Sequence, residues 1–421
     1  MVQTGYKRKV NPGAASTDVD RLSRVDRPQR RVCMLAYTHY EVDNRVMRYA
    51  KALIERGDQV DVIALNDGTR RPRYELLDGV NVYRIQRRLR NEQGKSSYLY
   101  RLCNFLFRSS FFLTWKQVQR RYDLIHVHNV PDFLVFSAWY PKITGAKIIL
   151  DIHDLLPEFF ASKFRKSGDG FYVRSLQWIE RLSAQFADHV IISNHLWYEK
   201  FTSRSLAKER CSVFINHVDS NLFNRRRTRT DGKFVFLYHG GLQAHQGLDL
   251  AIRAFAKVHR LVPEAEFHIY GGGSSKPDLE ALIKTLCLEE KVSLRDSLPA
   301  EEIAQIVAEA DLGVVAKRAD SFGNEAYSTK IMEFMSSGVP VIVSRTKIDK
   351  FYFNDSVVRF FESGNEEDLA EAMMCLMKHP ELRQDLARNA SAYASSNNWN
   401  SKKQEYLDLV DSILSASAAL S

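Results

Sequence analysis

The sequence predicts an α/β protein with two doubly wound domains, and three observations lead to this fold class. The chain has 421 residues, which is too long for one ordinary core and suits two domains of roughly 150–200 residues. Short apolar runs alternate with helical patterns, as expected of parallel strands that are connected by helices. The alternation lapses once, in a basic stretch at residues 223–233, and then starts again.

The first half of the chain contains seven strand-like runs. A helical pattern follows the first of them near residues 43–56, with Val46, Ala50 and Leu53 at helical spacing. The runs are apolar almost throughout, which is typical of parallel strands covered on both faces. In chain order they are RVCMLAY (31–37), QVDVIAL (59–65), VNVYRI (80–85), DLIHVHN (123–129), KIILDIH (147–153), HVIIS (189–193) and SVFIN (212–216).

The second half repeats this pattern with helices starting near residues 248 and 278. Its strand-like runs are FVFLYH (234–239), EFHIY (266–270), LGVVA (312–316), PVIV (340–343) and VVRFF (357–361). Two Rossmann-like domains that face each other form a cleft, and ligands of such sheets bind at the C-terminal strand ends. The predicted organisation is a flexible basic tail at 1–29, an N-terminal domain at 30–222, a linker at 223–233, a C-terminal domain at 234–398 and a C-terminal helix at 399–421.

The spacing of the cysteines and the hydropathy of the chain argue against several kinds of site and segment. The five cysteines lie far apart, with no Cys-x-x-Cys pair and no Cys/His cluster, which argues against a zinc site or a disulfide framework and suits a reducing compartment. The N-terminus lacks the apolar segment of a signal peptide. The most apolar window (98–115) is interrupted by Arg101 and Arg108, so we expect no membrane span.

Charge is shared unevenly along the chain. Residues 1–230 hold 40 Lys and Arg against 23 Asp and Glu, a net +17, whereas the remainder holds 20 against 28, a net −8; together they give the +9 of the whole chain. A basic half suits an anionic partner such as a membrane surface, a phosphorylated acceptor or a nucleic acid. No helix-turn-helix, zinc-finger or RNP signature accompanies the charge, so a nucleic-acid partner is not expected.

Two glutamates stand eight residues apart in the segment GNEAYSTKIMEFMSSGVPVIVS (323–344). Ser328 and Thr329 can cap the helix that carries Glu333, and the free backbone N–H groups at such a helix start bind anions. Glu325 before that start and Glu333 beyond it can hold hydroxyls at both ends of a diphosphate. The alternative interpretation is an exposed loop charge and a solvated helix residue.

This E-x7-E pattern, followed by FMSSGVPVI, resembles the donor-site motif of the retaining GT-B glycosyltransferases of glycosyltransferase family four. The resemblance extends over nearly all of residues 31–415. NRVMRYAKALIERGDQVDVIAL (44–65) resembles the family's first helix and second strand, YHGGLQAHQGLDLAIRAFAKV (238–258) the first turn of its C-terminal domain, and HIYGGG (268–273) its next strand and glycine turn. No single piece is decisive, but the ordered set is specific.

The resemblance implies roles for the donor residues. Glu325 would contact donor-sugar hydroxyls, Glu333 would contact the ribose, and backbone N–H groups near Ser328, Thr329 and Lys330 would hold the diphosphate. Gly272, in the run GGG, would let the nucleotide approach the backbone. The alternative interpretation is that this run only forms a turn. VSLRDSLP (292–299) resembles the base-side segment, which makes Arg295 a base-side candidate.

The segment HGGLQAHQG (239–247) departs from the family pattern. Many members carry an arginine at the position of Gly241 and a lysine at that of Gln246, both binding the diphosphate. We expect the Gly240-Gly241 turn to approach the phosphates, although a plain strand-to-loop turn is the alternative. Four side chains are candidates for the missing positive charge: His245, Lys317, Arg318 and Lys330.

Residues of the N-terminal half complete the predicted site. DIHDLLPEF (151–159) puts His153 and Asp154 after a strand, where the family has a histidine or acidic group facing the donor sugar; a structural histidine is the alternative. YTHYEVDNR (37–45) would form the acceptor loop, with His39 on it, Asp43 capping the first helix and Arg45 in its opening turn.

The resemblance implies a retaining transferase that moves a sugar from a nucleoside-diphosphate donor, UDP rather than GDP, to a glycan or lipid-linked acceptor of cell-surface polysaccharide synthesis. No cofactor and no metal is expected, because the family's front-face mechanism needs no dedicated base and the DVD at 18–20 lies in the tail. A nucleotide-sugar epimerase on the same fold and a non-catalytic binder of nucleotide sugars or glycans remain alternatives.

The window 83–121 interleaves basic and aromatic residues. We expect it to dock on an anionic, cytoplasmic membrane leaflet as a peripheral segment; an ordinary core helix is the alternative. The side chains expected to enter the bilayer interface are Tyr100, Phe105, Leu106 and Phe112. Those expected to meet lipid phosphates are Arg101, Arg108 and Lys116.

Overall fold

The computed structural model describes residues 28–68, 71–87, 95–164, 170–224 and 229–415. Residues 1–27 of the predicted tail, residues 225–228 of the linker and residues 416–421 of the terminal helix lie outside this range. The chain divides into two compact units, residues 1–126 with 137–147 and residues 127–136 with 148–421. The predicted linker therefore lies within the second unit.

The first unit contains a four-strand run in the order β3-β4-β2-β1. Strands β1 and β2 are parallel, as are β2 and β4, whereas β3 runs antiparallel to β4. The six inner residues of β2 are all buried, which is why its sequence is apolar on both sides. The strands are β1 (Arg31–Ala36), β2 (Gln59–Asn66), β3 (Tyr74–Leu77) and β4 (Val80–Arg87).

In the described residues, the α-helices of the first unit are α1 (Asn44–Arg56), α2 (Lys95–Gln119) and α3 (Trp139–Ile143). The sequence defines both ends of α1. The Asp43 carboxylate accepts a hydrogen bond from the Val46 N–H at 3.2 Å, and Gly57 follows the last turn at a φ of 104°. The predicted capping role of Asp43 is confirmed.

The second unit contains parallel strands from both halves of the sequence. β6 pairs with β7 and β7 with β8, all in parallel. A six-stranded sheet follows in the order β11-β10-β9-β12-β13-β14, and its pairs are parallel throughout. The strands, after β5 (Leu124–His128), are β6 (Lys147–Ile152), β7 (His189–Ile192), β8 (Cys211–Val213), β9 (Phe234–His239), β10 (Ala265–Tyr270), β11 (Val292–Arg295), β12 (Leu312–Val315), β13 (Val341–Ser344) and β14 (Arg359–Phe361).

Helices connect these strands and cover them. They are α4 (Leu156–Phe164), α5 (Phe171–Phe186), α6 (His195–Thr202), α7 (Leu248–Leu261), α8 (Lys276–Thr285), α9 (Ala300–Glu309), α10 (Thr329–Ser336), α11 (Lys347–Tyr352), α12 (Glu366–Lys378), α13 (Pro380–Ser396) and α14 (Trp399–Ser415). Phe236 and Tyr238 of β9 belong to one hydrophobic cluster, and Leu237 between them belongs to another. The six-stranded sheet is thus buried on both faces, and the predicted doubly wound α/β class is confirmed.

Candidate functional site

Helix α10, which carries Glu333, begins beside a buried hydroxyl. Ser328 precedes the helix and is 5% exposed, yet its side chain makes no capping hydrogen bond. Its Oγ has no hydrogen-bond partner among the residues that the structure describes. The prediction that this hydroxyl caps the helix is therefore wrong. Because the first N–H groups of a helix lack partners within it, a hydroxyl and helix N–H groups lie together at this point, as an anion site requires.

The side chain of Lys330 lies against the Gly240 turn. A Cβ placed on Gly240 would be 3.2 Å from both Cε and Nζ of Lys330, and Gly240 has a φ of 120° that favours glycine. Within the described part of the chain, the ammonium has no hydrogen-bond or ion-pair partner; its Nζ lies 5.3 Å from the ring centroid of Tyr238. Burial lowers the pKa of Lys330 to about 8, and Glu333 opposes this effect.

Two glycine turns pack backbone to backbone next to Lys330. The Gly240 N–H donates to the Tyr270 carbonyl at 2.9 Å, and the Leu242 N–H donates to the Gly272 carbonyl at 3.0 Å. A Cβ on Gly271 would lie 1.9 Å from the Gly240 carbonyl oxygen, so no larger residue fits there. The turn after β9 and the turn after β10 therefore form one glycine-rich edge at the C-terminal ends of neighbouring strands.

The second carboxylate of the motif, Glu333, lies beside a neutral histidine. Its Oε2 is 3.3 Å from Nε2 of His239, the last residue of β9, but the geometry is not that of a hydrogen bond. Burial, together with the charge of Lys330, lowers the pKa of His239 to about 3, so the imidazole does not neutralise the carboxylate. The Glu333 side chain is 19% exposed and therefore accessible from solvent.

The first carboxylate, Glu325, is held by helix α6. Nζ of Lys200 lies 2.5 Å from its Oε2, and the Asn194 side-chain amide donates to its backbone carbonyl at 3.1 Å. Asn194 also caps α6, because its Oδ1 accepts a hydrogen bond from the Trp197 N–H. Neither Lys200 nor Asn194 stood out in the sequence, since neither belongs to a motif and both lie more than 120 residues from Glu325.

The other predicted phosphate cations have partners. Lys317, which is 2% exposed, donates to the Ala326 carbonyl at 2.7 Å and pairs with Asp349 at 3.0 Å. Arg318 pairs with Asp249 in the first turn of α7. Lys317 thus holds the loop that carries Glu325, and Arg318 is held at the start of α7. The structure therefore presents neither side chain as an unpaired phosphate ligand.

His245, the remaining candidate for positive charge, lies near the same lysines. Its ring stacks edge-on against Phe322 at 5.4 Å, and its Nε2 lies 2.9 Å from Gln246 Nε2. Burial lowers the pKa of His245; the charge of Asp320 opposes this decrease, and the charges of Lys330 and Lys317 add to it. A neutral imidazole is a weaker substitute for the family's cation than Lys330 is.

His153 follows β6 as predicted and belongs to a polar cluster. Its Nε2 lies 3.2 Å from His128 Nδ1 and 3.4 Å from Oδ2 of Asp151, a residue that is fully buried. The Asn129 side chain accepts a hydrogen bond from the His153 N–H at 2.8 Å. These contacts hold the ring through its Nε2 atom. His128 and Asp151 were missed because both lie within strand patterns.

Asp154 follows His153 at the end of β6, whereas Arg295 lies at the end of β11. Burial raises the pKa of the Asp154 carboxyl, while the nearby His153 lowers it. Arg295, at the end of β11, donates to the Tyr270 hydroxyl at 3.1 Å, and Tyr270 precedes the second glycine turn. Arg295 is thus next to that turn, as a base-side residue requires.

The predicted acceptor-side residues of the first unit are not equally exposed. Arg45 is 5% exposed and lies over the Tyr49 ring at 5.3 Å, so packing holds it within α1. Asp43 uses its carboxylate to cap α1. His39 is half-buried, and its Nδ1 has no hydrogen-bond partner in the described residues.

Helices α2 and α3 present an apolar surface to solvent, which we call the α2–α3 surface. Its members are Leu99, Tyr100, Phe107, Phe111, Trp115 and Val118 of α2 and Trp139 and Ile143 of α3, each between 48% and 77% exposed. The expectation that Phe105 faces outward is wrong, because that ring is fully buried. Phe112 packs on Tyr83, and the Lys116 ammonium donates to the Tyr83 hydroxyl at 2.8 Å.

None of the described helices has the length and hydropathy needed to cross a bilayer.

Comparison with known proteins identifies two matching families along the chain. Residues 220–393 match the glycosyl transferases group 1, and residues 42–217 match the glycosyl transferase 4-like domain. Mannosylfructose-phosphate synthase of Agrobacterium fabrum is 31% identical over 44% of this chain and 42% of its own length. The match thus spans less than half of that relative. α-D-kanosaminyltransferase of Streptomyces kanamyceticus is 27% identical over 63% of this chain and 71% of its length.

Solved structures share the fold at low sequence identity. A sucrose-phosphate synthase from Thermosynechococcus elongatus superposes with a TM-score of 0.74 at 16% identity, covering 92% of this chain and all of the other. Anabaena Alr3699/HepE in complex with UDP gives a TM-score of 0.67 at 17% identity, covering 91% and 100%. With both matched segments and the two-sheet fold in agreement, the chain belongs to the group 1 glycosyltransferases of the GT-B fold.

Proposed function

We propose that this protein is a retaining, metal-independent glycosyltransferase that uses a nucleoside-diphosphate sugar. One observation carries the proposal: the first residues of α10 bring a buried hydroxyl, Ser328, and a lysine, Lys330, to a helix N-terminus, and among the described residues neither side chain has a hydrogen-bond or ion-pair partner. The Lys330 side chain lies against Gly240 in the first of the two glycine turns. A helix N-terminus with a nearby cation is suited to a diphosphate. The carboxylates of Glu325 and Glu333 come from the loop before that helix and from its second turn.

The diphosphate would be held by Lys330 together with the first backbone N–H groups of α10, including those of Thr329 and Lys330. Gly240 and Gly241 would allow the phosphates to approach the backbone of the first turn, and Gly272 would do so at the second. Lys330 thereby takes the place of the family's missing arginine and lysine. Since positive charge comes from the protein, the proposal includes no metal and no cofactor.

The two carboxylates would accept hydrogen bonds from hydroxyl groups of the donor. Glu333 would hold the ribose, because it lies in the second turn of α10 beside the neutral His239. Glu325 would hold hydroxyls of the transferred sugar, with His153 on the same sugar from the end of β6. The leaving phosphate would assist the incoming acceptor hydroxyl, so retention would need no protein nucleophile.

UDP is the proposed nucleotide. The proposal is supported by the neighbour Alr3699/HepE, which has been crystallised with UDP and also with UDP-glucose, the latter structure superposing with a TM-score of 0.66. Arg295 would lie on the base side, next to Tyr270. GDP is the alternative nucleotide, and a direct comparison of UDP with GDP binding by calorimetry separates the two.

The acceptor would be a glycan or a lipid-linked sugar of cell-surface polysaccharide synthesis, reached from the cytoplasmic leaflet of a membrane. The α2–α3 surface supports this proposal, because an apolar surface of this kind marks an interaction site on a protein. Arg108, Arg120 and Arg121 are exposed on or just after α2 and can meet lipid phosphates. The acceptor loop would carry His39, Asp43 and Arg45, and Asp154 would be a further acceptor-side residue.

The function is tested by incubating the protein with UDP- and GDP-sugars and with lipid-linked acceptors. We expect one donor to release its nucleotide only when an acceptor is present, with a product that keeps the anomeric configuration of the donor in the NMR spectrum. A product formed from donor alone would indicate an epimerase. Binding without turnover on any acceptor would indicate a non-catalytic protein.

A further inference from the structure

We propose that Lys200 is a positioning residue that orients the Glu325 carboxylate toward the donor sugar. The inference rests on the proposed function and concerns a residue outside the E-x7-E motif. Nζ of Lys200 lies 2.5 Å from Glu325 Oε2, and its next carboxylate, Glu158 Oε1, is 4.0 Å away. The Lys200 side chain is 34% exposed and that of Glu325 is 17% exposed, so the pair borders solvent and is accessible to a ligand.

The backbone around Glu325 is already fixed by other groups. Lys317 donates to the Ala326 carbonyl at 2.7 Å, and Asn194 donates to the Glu325 carbonyl at 3.1 Å. The ring of Phe322, which is 6% exposed, packs on Trp197 of α6 at 5.8 Å. The loop therefore keeps its course without Lys200.

The side chain of Glu325, in contrast, has one partner among the described residues. That partner is Lys200, which contacts Oε2; Oε1 makes no hydrogen bond within the part of the chain that the structure describes. A glutamate has three rotatable side-chain bonds, and fixing one oxygen removes much of that freedom before a ligand arrives. Lys200 thus sets the direction in which Oε1 faces.

The ion pair does not have to open for a sugar to bind. A carboxylate has about four lone-pair sites, so one ammonium on Oε2 leaves Oε1 free for donor hydroxyls. If instead Lys200 blocked the sugar subsite, its removal would tighten donor binding. The two possibilities predict opposite changes in the same measurement.

The test compares UDP with UDP-glucose, and GDP with GDP-mannose, by calorimetry on the full chain. The variant is Lys200→Met, which keeps the aliphatic length of the side chain and removes the charge. Lys200→Arg retains a cation, and Lys208→Met removes a second surface pair, Lys208–Glu199 at 2.9 Å, as a matched control.

We expect Lys200→Met to weaken the binding of the nucleotide sugar about tenfold and to leave the binding of the free nucleotide within about twofold. Lys200→Arg should restore most of the loss, and Lys208→Met should match wild type. In a Glu325→Gln background, Lys200→Met should have no further effect, because Lys200 acts through that carboxylate. A purely structural role would weaken both ligands and would persist in the double variant.

The outcomes separate the inference from the proposed function. If wild type binds none of the four nucleotides and nucleotide sugars, the donor assignment fails and the inference fails with it. If wild type binds a nucleotide sugar but Lys200→Met binds it equally well or more tightly, the positioning role is overturned and the proposed function stands. Normal nucleotide binding by the variant shows that it has folded.

Discussion

At the scale of single residues, the charge of Lys330 is the feature on which the proposed donor site depends. The protein lacks the arginine and lysine common in its family, and Lys317 and Arg318 are paired with Asp349 and Asp249. Lys330 has a pKa of about 8 because it is buried. Below that pH the ammonium is charged, and among the described residues it has no hydrogen-bond or ion-pair partner, so it is available to an anion.

Replacement of Lys330 by Met should weaken UDP binding about tenfold to a hundredfold and change uridine binding little, because a hydrogen bond between charged groups contributes about 1.5–3 kcal/mol. In the wild type, UDP affinity should also fall as the pH rises from about 8, since the lysine loses its proton while the diphosphate stays ionised. Calorimetry between pH 7 and 9.5 measures both effects. A pH profile that is the same in Lys330→Met would show that another group holds the phosphates.

The two glutamates of the motif should be separable by ligand. Glu325→Ala and Glu333→Ala should each lower transfer about tenfold to a hundredfold or more, with the fold intact. Only Glu333→Ala should weaken free UDP, because Glu333 is assigned to the ribose and Glu325 to the sugar. Turnover and UDP affinity measured on both variants check this; wild-type turnover in both would remove the assignment.

At the scale of elements, the two stacked glycine turns define the edge at which the diphosphate is proposed to bind. Their carbonyl and N–H groups hydrogen-bond across the turns, and the close approach leaves no room for a side chain at Gly271. Gly272, in the same turn, is different: among the described residues, a Cβ there would meet only the Ser297 hydroxyl, at 3.5 Å, which is an ordinary contact.

Gly271→Ala should therefore destabilise the protein by about 1–3 kcal/mol or more, because a methyl group would be forced against a backbone carbonyl. Gly272→Ala is the matched control and should leave the free energy of unfolding within about 1 kcal/mol of wild type. Urea denaturation of the three proteins compares them. If Gly271→Ala and Gly272→Ala unfold at the same urea concentration, the two turns can move apart without a loss of stability.

The elements themselves were largely predictable, because their local signals agree with the fold. Strands β9 and β12 are apolar on both faces, and α1 has Asp43 before it and Gly57 after it. Strand β3 was missed because Tyr-Glu-Leu-Leu is short, half-exposed and antiparallel at an edge. Strand β11 was interpreted only as a base-side segment, since it too is four residues long.

The side-chain partners were much less predictable than the elements. The orientation of α2 could not be chosen from its pattern, because both its buried face, with Phe105, and its exposed face, with Phe107 and Phe111, are apolar. Lys200 and Glu325 are 125 positions apart, and nothing in local spacing joins them. Contacts of this kind depend on tertiary packing, which a single sequence does not express as a motif.

At the scale of the whole molecule, the excess of positive charge and the exposed apolar α2–α3 surface occur in the same half of the sequence. Residues 1–230 carry a net +17 and the rest a net −8, and the α2–α3 surface belongs to the basic half. Each basic residue close to an anionic leaflet contributes about 1 kcal/mol, so four or five are enough for reversible docking. At such a membrane the exposed aromatic side chains of the α2–α3 surface would add hydrophobic contact.

We therefore expect the protein to sediment with vesicles that contain anionic lipid and to be released by high salt, with little binding to neutral vesicles. Replacing Phe107 and Phe111 by Ser should lower the bound fraction several-fold, because these rings are 71% and 77% exposed on one face of α2 and would enter the interface. Phe171→Ser is the matched control, since Phe171 on α5 is equally aromatic and 79% exposed. If the α2 variant still binds vesicles, or if the control loses binding equally, membrane contact belongs to another part of the chain. If binding does not depend on lipid charge or on salt, the basic half has no electrostatic role at a membrane.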